Sequence, residues 1–182
     1  MNKNTIIQKA SLKKAILFTI LFVAFYVIIN FSGIGVAGLL EITGGANILD
    51  FEFGYTYEEA YGILTALGVE GRIFYLTKIS PIDFPFPFTY MLFYAGWIAL
   101  LAKHTLSKEW CKYLLLVPVL AMLFDWIENI GIITMLNNYP NLPSWAVLIA
   151  SVGGILKTSF TAGSTVLIGI LFIMFIIQKA RK

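Results

Sequence analysis

AILFTILFVAFYVIINFSGIGVAGLL, residues 15–40, contains no Asp, Glu, Lys or Arg. Two further stretches share that property: FPFPFTYMLFYAGWIALLA over 84–102 and TSFTAGSTVLIGILFIMFIIQ over 158–178. A helix crosses the hydrocarbon core of a bilayer with about 20 apolar residues. Lipid offers no partners to open backbone groups, so a spanning run of this kind is helical. One such run could be a buried helix of a soluble domain. Three of them in 182 residues read as an integral membrane protein. The first run is too long for the apolar part of a secretory signal, about 7–15 residues, and reads as a retained anchor helix.

A fourth span follows from YLLLVPVLAMLFDWIENIGIITML, residues 113–136, which stops at the turn-forming NNYPNLP over 137–143. Pro118 lies inside it and is expected to kink it. The composition agrees: 59% of residues are hydrophobic and 13% charged, against about 25% charged in a soluble domain. The expected fold is therefore all-α, a polytopic membrane protein with four transmembrane helices and short outer interfacial helices. It forms a single domain over 1–182, with spans near 15–38, 84–102, 112–135 and 158–178 and an outer segment over 41–83.

The basic residues orient this arrangement. Lys3, Lys9, Lys13 and Lys14 precede the first span, Lys103, Lys108 and Lys112 separate the second from the third, and Lys179, Arg181 and Lys182 follow the fourth. With four spans all ten fall on one side, which the positive-inside rule makes cytoplasmic. Both termini are then expected inside the cell membrane, with 41–83 and 137–143 outside.

The outer segment carries Glu41, Asp50, Glu52, Glu58, Glu59 and Glu70. Within it GYTYEEAYGILTALG, residues 54–68, predicts a short helix: Thr56 as cap, two acids in the first turn, Gly68 at the close. GRIFYLTKI, residues 71–79, predicts a second short helix or an extension of the next span. The weakly polar run 144–178 is too long for one crossing. It reads either as an outer piece broken at Gly153-Gly154 followed by a span, or as one long tilted helix. In both readings Lys157 lies near the outer surface. Gly154, Ala162, Gly163 and Gly169 are candidates for close helix contact.

Asp125 and Glu128, inside the apolar run 121–135, are the residues that need a role. Counted from Cys111 they lie in the outer part of the bilayer, on roughly one helix face together with Asn129. Trp126 points elsewhere, as an interfacial anchor. Asp83 enters the second span at a similar depth. Arg72 and Lys157 are the basic groups able to compensate these acids, and Tyr75, Tyr90 and Asn30 are candidate members of the same polar pocket. A lone acid in lipid is costly, so pairing or metal binding is expected.

Three functional readings remain open. In the first, the acids act in an enzyme on a lipid-like substrate. Asp83, Asp125 and Glu128 would then serve as acid/base groups or as ligands of a divalent cation such as Mg or Ca, with Arg72 holding an anionic group. In the second, the chain is an assembly, scaffold or accessory protein whose acids form ion pairs, with a homo-oligomer or another membrane protein as partner. In the third, it is an ion- or proton-coupled transport module. The DxxEN pattern at 125–129 is weak support for catalysis, and HExxH, GxSxG and glycine-rich nucleotide loops do not occur. The single cysteine, Cys111, excludes an intrachain disulfide and any two-cysteine redox pair. The negative outer segment argues against nucleic-acid binding.

Overall fold

A computed structural model describes residues 5–106 and 109–181; Lys3, Lys108 and Lys182 lie outside them. Its elements are α1 (Thr5–Gln8), α2 (Leu12–Phe31), α3 (Val36–Thr43), a 3-10 turn (Leu49–Phe51), α4 (Tyr57–Ala66), α5 (Gly68–Phe74), a π turn (Tyr75–Ile79), α6 (Ser80–Asp83), α7 (Phe86–Thr105), a 3-10 stretch (Glu109–Leu115), α8 (Leu116–Asn138) and α9 (Ser144–Ala180). The chain is all-α, with four long apolar helical segments able to cross a membrane by length and composition. They make a four-helix bundle around α2, α7, α8 and α9. The large apolar residues that remain exposed, such as Leu17, Ile20, Val166, Ile173 and Ile177, suit lipid contact and would be a liability in water.

The pair α8–α9 is the most extensively packed, and α7 packs against α2, α8 and α9. Small residues allow the α8–α9 approach. A Cβ on Gly131 would lie 2.6 Å from Ala150 Cβ, and one on Gly153 would lie 2.9 Å from the Glu128 backbone nitrogen. Glycine inside a helix costs about 1 kcal/mol relative to alanine. Here backbone contact with α8 offsets that cost, and α9 runs unbroken through Gly153-Gly154. The one-long-helix reading of 144–178 is therefore the observed one. Of the candidates for close contact, Gly154 is in tight contact, Gly163 makes ordinary contact with Val117, and Gly169 has open space around it.

Other local features depart from the sequence expectation. The apolar run 15–40 is not a straight helix, because the chain bends back at 32–35 and α3 packs against the end of α2 and against α5. Pro118 produces no mid-helix break. It falls in the first turn of α8, where its missing N–H is one of the donors left unpaired in any case.

The segment 41–83 folds as its capping residues dictate. Thr56 accepts from the Glu59 amide at 3.2 Å, and the Glu59 carboxylate accepts from the Thr56 amide at 2.7 Å, a complete capping box on α4. Gly68 follows α4 with φ +64°, a conformation that excludes most side chains. Leu49, Tyr55, Ala60, Leu64 and Tyr75 then bury themselves against Met135, Ala146 and Ala150 of α8 and α9. At the opposite end, Lys103 Nζ donates to the Gln8 and Ala10 carbonyls at 3.0 Å, and Gln178 Nε2 donates to the Thr105 carbonyl at 3.0 Å. Those contacts gather residues 8–10, 103–105 and 178 at one pole, where Lys9, Lys103 and Lys179 lie.

Candidate functional site

The site is assembled at mid-length of the bundle. Asp125 lies thirteen residues before the end of α8 and Lys157 thirteen residues after the start of α9. At 1.5 Å per residue both sit about 20 Å from the turn that joins the two helices. Residues 109–115 form a 3-10 stretch, and α8 itself starts only at Leu116.

Lys157 is the hub. Its Nζ lies 2.5 Å from Glu128 Oε2 and 3.9 Å from Asp50 Oδ1. Glu128 is fully buried, and it fits only because residue 154 is glycine: a Cβ there would stand 2.5 Å from Glu128 Oε1. Asp50 comes from the 3-10 turn within segment 41–83 and also accepts from the Tyr75 hydroxyl. A single ammonium thus joins α8, α9 and segment 41–83.

Asp125 has its own partners. Tyr90 OH donates to Oδ2 at 3.0 Å, and Asn129 Nδ2 donates to Oδ1 at 2.9 Å. The i to i+4 spacing of Asp125 and Asn129 makes that second bond a consequence of the helix repeat. Asp83, the last residue of α6, makes no ion pair among the described residues. It faces the same space as Asp125 and has Asn129 nearby. Tyr55, outside the spanning helices, is buried with its hydroxyl unpaired. Burial, with Glu128 and Asp50 nearby, pushes its phenol above the usual tyrosine range, so it stays protonated and available as a donor.

Several expected members are brought together and others are not. Asp83, Asp125, Asn30, Tyr90 and Lys157 line one cavity of about 480 Å³. Tyr75 joins the cluster through Asp50. Glu128 is turned away from the cavity onto Lys157. Among the described residues no three His, Cys, Asp or Glu side chains form a group able to hold a metal ion. Arg72 stands apart from the acids: its Nη1 donates to the Leu64 carbonyl at 2.7 Å, and its guanidinium lies 3.8 Å from the centre of the Tyr139 ring. Lys157 has a side chain that is 16% exposed and held within the network. Trp126 stacks on Phe84, and its Nε1 donates to the Phe84 carbonyl at 2.9 Å.

Sequence reasoning missed Asp50, Tyr55 and Ser151. Ser151 Oγ accepts from the Tyr55 amide at 2.8 Å and ties segment 41–83 to α9. The available signal was NILDFEFGY, residues 47–55, in which an acid sits between apolar residues of a loop. An acid so placed either faces water or returns to a buried cation, and the sequence does not choose between these.

No family model, curated protein or solved structure matches this chain. The functional argument therefore rests on the site alone.

Proposed function

We propose that this chain is a small multi-pass accessory protein of the cell membrane, whose buried ion pairs latch its outer segment onto the helix bundle. The observation that carries this reading is the double engagement of Lys157 with Glu128 of α8 and Asp50 of the outer segment. A buried ammonium with two carboxylates fixes how elements are placed even where it adds little net stability. The exposed surface of the latched segment, which includes Phe51, Phe53 and Ile73, is the part available to a second membrane protein.

In this proposal a single membrane domain crosses the bilayer near 15–38, 84–102, 112–135 and 158–178, with both termini cytoplasmic. The basic pole supports that orientation. The experiment replaces Gly62, which is exposed with open space around it, by cysteine in the full chain and labels intact cells with a membrane-impermeant maleimide. Labelling from outside is expected. Introducing Lys157→Met into the same chain is expected to raise hydrogen exchange across 48–79 relative to α8. Labelling of Gly62→Cys only after lysis would overturn the orientation, and unchanged exchange would overturn the latch.

The cavity favours a second reading, a site for a lipid-like ligand. One wall is α2 (Phe22, Tyr26, Ile29), the other is α9 (Thr158, Thr161, Ala162), and Asp50, Asp83 and Asp125 are at its polar end. Its size falls within the range of about 300–1,000 Å³ typical of small-molecule sites.

A further inference from the structure

The ligand-site reading leaves open what kind of head group the cavity takes, and the charge arrangement answers it. Three carboxyls line the space: Asp50, Asp83 and Asp125. Lys157, which also lines it, is committed at 2.5 Å to Glu128, which is not among the lining residues, and at 3.9 Å to Asp50. Asp125 is satisfied only by neutral donors, Tyr90 and Asn129, and Asp83 has no ion-pair partner among the described residues. Asp125 is 4% exposed, so a group that reaches it lies inside the protein. Asp83 and Asp125 therefore have no matching cation among the described residues. Tyr26, Phe86, Tyr90 and Tyr94 line the same cavity, and aromatic rings attract organic ammonium groups.

The way in is equally specific. Helices α2 and α9 form opposite walls yet barely touch, since α2 is held almost wholly by α7 and α3. Tyr26 and Thr165, one from each wall, line the cavity, and Tyr26, Val27 and Val166 beside them are exposed on the apolar surface. An amphiphile can then enter sideways, head first, without passing through water.

We propose that this cavity binds a single-chain amphiphile bearing an ammonium head, with the head between Asp83 and Asp125 and the chain along the α2–α9 slot. The proposal rests on the lipid-like-ligand reading and narrows it to one head-group charge. An anionic head would meet the carboxyls of Asp83 and Asp125, and a neutral one would leave those two without a counter-charge.

The experiment uses the full chain in detergent micelles and counts adducts by native mass spectrometry with dodecylamine, dodecanol and dodecanoic acid at equal concentrations. One dodecylamine is expected to bind at least about tenfold more tightly than dodecanol, the difference one charge-assisted contact gives. Asp83→Asn and Asp125→Asn are each expected to weaken it by about tenfold. Ala162→Phe, at an exposed cavity-wall position, is expected to remove the adduct while leaving the thermal midpoint unchanged, so the test does not depend on the acid variants folding. Equal binding of dodecanol, or preference for dodecanoic acid, would overturn the head-group assignment while sparing the ligand site. No binding by any of the three would overturn both, and an amine adduct that survives Ala162→Phe would place the amine elsewhere and refute the proposal.

Discussion

Removing Lys157 and removing Glu128 are not equivalent perturbations. In Lys157→Met, two carboxyls lose their cation: Glu128, fully buried, and Asp50, whose side chain is 14% exposed. Breaking a buried pair by deleting one partner costs about 3–5 kcal/mol. The upper part of that range applies here, because Glu128 has no other hydrogen-bond partner among the described residues. In Glu128→Gln the ammonium keeps Asp50 at 3.9 Å, and the amide fits the space beside Gly154, so about 2 kcal/mol is expected. The double variant Glu128→Gln/Lys157→Met removes both charges and is expected to be no worse than Lys157→Met, giving a coupling energy of about 2 kcal/mol or more. Reversible unfolding in mixed micelles, followed by tryptophan fluorescence and by far-ultraviolet circular dichroism, measures all four corners of the cycle. Coincidence of the two probes is the condition for using a single unfolding free energy. A Lys157→Met protein as stable as the parent, or a coupling within about 0.5 kcal/mol of zero, would refute the idea that this pair holds the elements together.

The α8–α9 seam gives a steric test: Gly131→Ala and Gly153→Ala are each expected to cost about 1–3 kcal/mol, because the new methyl meets Ala150 and the Glu128 backbone respectively, whereas Gly169→Ala, with open space around it, should be tolerated in the same unfolding assay. The capping box gives a pH test. The Thr56 amide and hydroxyl hold the Glu59 carboxyl below its usual value, so its contribution is fully present above the unfolded value, near 4.3, and is lost as pH falls through the lower folded value. Hydrogen exchange of α4 is expected to rise over that acidic window in the parent, and Glu59→Gln should abolish this pH dependence.

The sequence by itself determined the class of solvent and the number of long helices. Runs such as 15–40 and 158–178 hold no charge, and that information is local: a helix in lipid satisfies its own backbone, so apolar length is enough to place it. The α4 cap was legible for the same reason, since Thr56 and Glu59 act across a single turn. Asp125, Glu128 and Asn129 were also marked by their cost in an apolar run, as was Asp83.

Only the tertiary structure decided which partners those acids take. Arg72 looked as suitable as Lys157, but it settled on the Leu64 carbonyl and the Tyr139 ring. Asp50, one outer acid among several, became the second partner of Lys157. These choices depend on α9 passing unbroken through Gly153-Gly154 at backbone distance from α8, which carries Lys157 about 20 Å down from the turn. Charge pairing acts over a few ångströms and chain separations of thirty to a hundred residues. Its outcome is fixed by how the helices pack and is not encoded in any local pattern.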